Sequence, residues 1–215
     1  SDLSRFYYAD EARGSLEFAL DWNKGTSKLK RVLYRADSDF PLPFRAAAPE
    51  RALYHNGQRY FTNCYNNNPV AGHSTAFLFH DRDGVAQPAA AMGMANSWEV
   101  LKTEPFLHLW PEGTDPHSKD IHGHGGKNQV FFAWSDLNAD ARVQPDEVWM
   151  EQARCGGVTV MDDLSFCIAR LNDQSVRFAA ASHTEAGVPI YERSKRVVLA
   201  DGVLGPGSSG GDQML

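Results

Sequence analysis

The sequence predicts an all-β fold, and three observations carry that prediction. Glycine (18) and proline (11) are plentiful, aromatic residues reach 11% of the chain, and short alternating runs are cut by turn residues about every eight to twelve positions. No long apolar stripe at helical spacing competes with this pattern. With 215 residues and 42% hydrophobic content, the chain is long enough to bury a proper core, and residues 1–215 are read as a single domain.

The first runs, Phe6 to Ala9 and Ser15 to Leu20, flank a polar turn with Gly14 and read as a hairpin. Arg31 to Tyr34 is a further short strand, and the basic run Lys28 to Arg31 before it reads as a solvated strand end. Pro41, Pro43 and Pro49 then forbid a central strand between Asp37 and Pro49. Arg51 to Tyr54 and Arg59 to Tyr65 enclose Asn56-Gly57, the strongest short-range hairpin signal. After Asn66-Asn67-Asn68-Pro69, a second hairpin pairs Ser74 to His80 with Val85 to Met92 around Asp81-Arg82-Asp83-Gly84. Two successive hairpins of similar length suggest repeated β units.

Asn96 to Leu109 is the one helix candidate, with Trp98, Leu101 and Phe106 or Leu109 on one face until Pro105 interrupts it. Pro111 to Asn128 has almost nothing to bury and reads as a long exposed loop. Strands return at Gln129 to Trp134, Gly157 to Met161, Ser165 to Leu171, Ser175 to Ala180, Pro189 to Tyr191 and Arg196 to Leu199. The tail Gly205 to Gly211 is linker-like.

One segment carries specific chemistry. Against the twelve-residue EF-hand pattern, Asp136 takes position 1, Asn138 position 3, Asp140 position 5, the Arg142 backbone carbonyl position 7, Gln144 position 9 and Glu147 position 12. Every ligand position holds an oxygen donor. Calcium is a hard cation that takes 6 to 8 oxygens, and the alternating spacing turns side chains inward while the closing glutamate adds two oxygens. Val143 supplies the apolar anchor, and Pro145 with Asp146 suits the first turn of a short helix from Asp146 to Glu151. Ala141 stands where the pattern has glycine, and a left-handed alanine costs about 1–2 kcal/mol. The plain alternative is an acidic turn between Trp134 and Val148. No helix leads into Asp136, so the loop is a staple on a β scaffold and not a sensor that opens on calcium.

Other constellations read more simply. Asp81 to Gly84 lacks a closing acid, since Met92 stands there, and is a hairpin turn. His117, His122 and His124, with Asp115 and Asp120, make either a solvated loop or a transition-metal site. Tyr60, Tyr65, Trp98, Trp110 and Trp134 make either core or a sugar-stacking groove, and core is the commoner fate of such aromatics. Gly-x-Ser-x-Gly does not occur, and no carboxylate pair stands out as catalytic. Cys64, Cys155 and Cys167 cannot all pair within one chain; Cys155 and Cys167 are free thiols or join across two strands. The net charge of −6 and a pI of about 5.7 argue against nucleic acid as partner. No apolar run approaches the roughly 20 residues that cross a bilayer, which argues against membrane insertion within this segment. The ends, Ser1-Asp2-Leu3 and Gln213-Met214-Leu215, read as cuts in a longer chain.

The runs Arg51 to Tyr54, Arg59 to Asn63, Phe77 to Gly84 and Phe131 to Asp140, with Val143-Gln144-Pro145-Asp146-Glu147 after the last, resemble secreted bacterial NHL-like β-propeller proteins that embed a calcium loop in a blade hairpin. The likeness runs from Tyr54 to Arg177, and only the calcium segment is specific. It implies a β-propeller-like chain of about four blades or a partial propeller, exported or displayed at the cell surface, which binds an unknown protein or glycan. Ala141 departs from the glycine of that family. The resemblance implies a calcium-stabilised extracellular binding or scaffold module of a larger bacterial protein. The opposing reading is a glycan-acting enzyme, a hydrolase or lyase, with its site at the propeller mouth and the histidine loop as a lid.

Overall fold

The computed structural model describes residues 3–10, 14–35, 49, 51–63, 75–118 and 128–204. Cys64, Tyr65, Asp120, His122, His124, the turn residues 66–69 and the tail from Gly205 lie outside the described residues, as does nearly all of the proline-rich stretch. The chain is mostly β, in antiparallel sheets. Among the described residues these sheets do not close a ring of blades.

The first three strands, β1 (Arg5–Asp10), β2 (Gly14–Asp21) and β3 (Thr26–Arg35), form an antiparallel meander. A second meander follows in chain order through β4 (Arg51–His55), β5 (Gln58–Thr62), β6 (Thr75–Arg82), β7 (Val85–Met94), β8 (Val130–Ser135) and β9 (Val148–Gln152). The two join at β7, which pairs in parallel with β3 over Val85 and Ala86 and antiparallel with β8 from Ala90 onward. Pro88 sits between these stretches beside a register shift at Leu78/Phe79. A proline cannot donate to the ladder and is tolerated at such an irregularity, so one edge of β7 serves two partners in turn.

Both short hairpins close as their residues dictate. Asn56 and Gly57 have φ of 50° and 76°, and Asp83 and Gly84 have 53° and 88°. Two left-handed residues in a two-residue turn match the twist of the flanking strands. Asp81 accepts from the Gly84 N–H at 2.9 Å, so Asp81 to Gly84 is the hairpin turn that its residues imply.

The central strands are buried on both faces, which is why β6 and β8 read as nearly unbroken apolar runs. On one face Leu78, Met92, Phe131 and Ala133 meet Val158, Phe166, Ile168, Val176 and Phe178. These belong to a second sheet, ordered β10 (Val158–Val160), β11 (Phe166–Leu171), β12 (Gln174–Phe178) and β15 (Val197–Ala200). Between β12 and β15 lies a small hairpin, β13 (Ser182–His183) with β14 (Pro189–Ile190). On the other face Phe77, Phe132 and Trp134 pack on Trp98, Leu101, Phe106 and Trp110. Trp98 is the hub, with ring centroids 5.3 Å from Phe77 and Phe132 and 6.0 Å from Trp134.

The segment expected as one helix is instead three 3₁₀ turns, Ala95–Ser97, Glu99–Lys102 and Glu104–Leu109. Pro105 opens the third turn, where its missing N–H is harmless, and the expected face of Trp98, Leu101 and Phe106 is buried. A second correction concerns Asp146 to Glu151. Only one 3₁₀ turn forms, Pro145–Glu147, and Val148 onward is β9, because pairing with β8 over Val130 to Trp134 outweighs local helix preference. Tyr60, Trp98, Trp110 and Trp134 are all core, so none of them lines a groove. Cys155 and Cys167 are buried free thiols: Cys155 faces Leu171, while Cys167 faces Thr159 and Arg177. Among the described residues, no helix is long and apolar enough to cross a membrane.

Candidate metal loop

The twelve residues from Asp136 to Glu147 connect β8 to β9, whose last ladder pair is Trp134 with Val148. The loop therefore begins and ends on neighbouring strands of a buried sheet. The Asp136 N–H donates to the Ala89 carbonyl of β7 at 2.9 Å, which pins the entry, and Val143 packs against the aromatic cluster below.

Asp136 forms the floor, only 1% exposed. Its Oδ1 accepts from the Asp140 N–H at 3.1 Å and its Oδ2 from the Ala141 N–H at 3.0 Å. That closure requires left-handed backbone at Ala139 (φ 62°) and Ala141 (φ 59°). The strain anticipated at Ala141 from its place in the pattern is thus realised. Asn138 Oδ1 accepts from the Asp140 N–H at 3.0 Å, and Asp140 Oδ1 from the Arg142 N–H at 2.8 Å.

Glu147, 8% exposed, reaches back across the loop. Its Oε1 accepts from the Leu137 N–H at 2.7 Å, and its Oε2 from Trp134 Nε1 at 2.9 Å. Trp134 is a contributor that the ligand pattern does not include; it sits two residues before position 1 on the strand that leads in. Gln144 Nε2 donates to Asp140 Oδ2 at 2.8 Å, and Asn138 Nδ2 lies 3.3 Å from both Asp140 Oδ2 and Gln144 Oε1. Five of the six predicted positions, Asp136, Asn138, Asp140, Gln144 and Glu147, are linked through side-chain hydrogen bonds within the loop. Arg142 joins through its backbone N–H, which donates to Asp140, and not through the carbonyl that position 7 calls for.

The electrostatics of this ring are unbalanced. Asp136, Asp140 and Glu147 form no ion pair with Lys or Arg among the described residues. Burial pushes the Asp136 carboxyl up to about 6; the Ala141 N–H opposes this, and the charges of Glu147 and Asp140 reinforce it. Glu147 is likewise raised by burial, against the Trp134 N–H. Among the described residues no three His, Cys, Asp or Glu side chains gather as a ready-made metal centre. A metal held here would draw on the Asn138 and Gln144 amides and the Arg142 carbonyl as well as the acids, an all-oxygen set of the kind a hard cation takes.

His117 is exposed, and its N–H donates to Asp115 Oδ1 at 2.9 Å; nothing among the described residues joins it to a second imidazole. Compared with protein-family models, curated proteins and solved structures, the chain shows no match.

Proposed function

We propose that this chain is a calcium-stapled β scaffold, a binding or structural module of a larger extracellular bacterial protein built from propeller-type blades. One observation carries the calcium reading: the loop places three carboxylates at ligand positions, two of them buried, and among the described residues no cationic side chain forms an ion pair with them. Unpaired buried charge is costly, and a divalent ion on the loop axis offsets it while using the oxygens that the twelve-residue spacing supplies. The exposed side chains of Asn138 and Asp140 give an ion its entry from solvent. The strands on either side are fixed to the core, so binding orders the loop without opening the fold. The four-stranded sheet of β10, β11, β12 and β15 has the strand number of one blade.

Thermal unfolding with excess calcium, with EGTA, and with Glu147→Gln tests the reading. Calcium at about one hundred times its Kd stabilises the native state by about 2.7 kcal/mol, which raises the Tm by roughly 5–10 °C in a chain of this size. Glu147→Gln removes the bidentate closing ligand and abolishes the calcium-dependent rise, whatever its effect in EGTA. Identical melting of the wild type in calcium and EGTA defeats the proposal.

A further inference from the structure

The edge of a sheet exposes a row of N–H and C=O groups that pair with any strand laid alongside, and folds blunt such edges with charge, proline or cover. The edge strand β1 carries Arg5 and Asp10. The edge strand β10 is met by Arg51 of β4, which donates to the Val160 carbonyl at 3.2 Å. At the other end of the same sheet β15 has neither device. It reads Val197-Val198-Leu199-Ala200, without charge or proline, and all four residues are exposed, Val197 by 52%, Val198 by 42% and Leu199 by 49%. It pairs with β12 on one side, and among the described residues no strand lies on the other.

This bare edge is pinned at both ends. Arg193 and Arg196, which lead into it, each reach Glu151 of β9 at 2.7 Å. Past it, the Val203 N–H donates to the Asp173 carbonyl at 2.7 Å, and Gln174 Nε2 donates to Asp201 Oδ1 at 2.6 Å. A strand already held in place loses little freedom when another pairs with it.

Its flanks also differ in sign, with Lys195 and Arg196 before it and Asp201 after it. A second copy laid parallel and in register sets like charges together. Laid antiparallel about a two-fold axis at Val198, the copy brings its Leu199 opposite Val197 and its Asp201 opposite Lys195, and symmetry makes each contact twice. Arg196 is engaged with Glu151, but Lys195 is exposed and forms no ion pair among the described residues.

We propose that this edge is a homodimer interface, in which β15 pairs antiparallel with β15 of a second copy and joins two four-stranded sheets into one continuous sheet. The contact is isologous and uses up the free edge, so assembly stops at two. Four residues a side make a small contact, and a dissociation constant of roughly 10–500 µM is expected.

Sedimentation velocity in EGTA over about 5–500 µM protein tests the interface by mass action. The wild type shifts from monomer to dimer as concentration rises. Val198→Lys sets two ammonium groups against each other on the axis and abolishes the shift over that range. Lys195→Glu and Asp201→Lys each bring like charges together twice and weaken dimerisation about fivefold to tenfold. Combining the two restores it to within about threefold of wild type, because the exchanged pair attracts again. A wild type that stays monomeric throughout overturns the proposal and leaves the edge to a strand from another protein or from elsewhere in the chain. A dimer that persists in Val198→Lys, or that the double exchange does not restore, overturns it too, since that dimer forms through another surface. Should Val198→Lys lose the native melting transition, the charge exchange decides, because Lys195 and Asp201 are both exposed. Calcium is absent throughout, so failure here leaves the metal loop untouched.

Discussion

The loop between β8 and β9 and the junction between the two meanders both bury carboxylates, and they treat them oppositely. At the junction Glu17 and Asp81 are surrounded by guanidinium groups that the fold itself brings from β1, β3 and β5. In the loop, among the described residues, Asp136 and Glu147 have N–H dipoles as partners, from Asp140, Ala141, Leu137, Asn138, Gln144 and Trp134. Dipoles partly compensate a buried charge, whereas a paired counter-ion removes the net charge. The junction's acids thus meet counter-charges within the protein, whereas Asp136 and Glu147 meet none among the described residues.

The largest expected effect follows from the junction. The parallel ladder between β3 and β7 is only two residue pairs long, so Arg31 and Arg59, each reaching both Glu17 and Asp81, are a principal tie between the meanders. Glu17→Gln leaves three guanidinium groups around a neutral amide. Removing one partner of a buried ionic network costs about 3–5 kcal/mol, read as a lower urea midpoint with unchanged m. A loss below about 1 kcal/mol would show that water already solvates these charges, and the contrast with the loop would fail.

Next in size is the pH response of the metal-free loop. The folded Asp136 carboxyl titrates near 6 against 3.8 in the unfolded chain, so between these values the native state holds more protons. Stability in EGTA therefore rises as pH falls from about 7 to 4, by about 2–3 kcal/mol from this group. His80 and His183 work against it: burial holds both below the usual histidine value, so the unfolded chain gains protons first as pH drops below 6.5. The difference between wild type and Asp136→Asn isolates the carboxylate. Wild type should gain more than the variant across this window, and saturating calcium at pH 7 should shrink the gap, because the ion takes the place of the proton. Parallel pH curves for the two proteins in EGTA would show that Asp136 is not the strained group.

How far such features can be read from sequence depends on how local their causes are. Asn56-Gly57 and Asp83-Gly84 announce their hairpins because a two-residue left-handed turn is specified by its own residues. The ring from Asp136 to Glu147 is legible for the same reason, since its donors fall at fixed spacings within one segment. The helix expected after Pro145 fails because β8, brought alongside by the loop itself, offers Val148 to Gln152 a full ladder. The three 3₁₀ turns share their cause with the expected helix, an apolar face with a proline across it, but the sequence does not distinguish their tighter winding. The junction is the least legible part. Glu17, Arg31, Arg59 and Asp81 lie on four strands, and each read alone is an ordinary polar residue on a strand face. Lys28 to Arg31 reads as a solvated run, and Lys28 and Lys30 are indeed exposed; only the sheet order turns Arg31 inward to two acids.

The smallest predicted effect tests how the loop is held ready. Ala141 occupies φ 59° because its N–H must turn toward Asp136 Oδ2, at 3.0 Å. An alanine there suffers a clash between Cβ and carbonyl that glycine avoids, about 1–2 kcal/mol, while glycine loses about 0.4–1 kcal/mol through its freer unfolded chain. Ala141→Gly should therefore stabilise the protein by about 0.5–1 kcal/mol in EGTA, near 2 °C in Tm. The same gain should persist in calcium if the loop backbone is already set before the ion arrives. A gain that appears only with calcium would mean that Ala141 adopts its left-handed turn on binding, and that part of the metal's binding energy is spent in forming it. Comparing the two melting differences thus measures how far the dipole-held ring is organised in advance of its counter-ion.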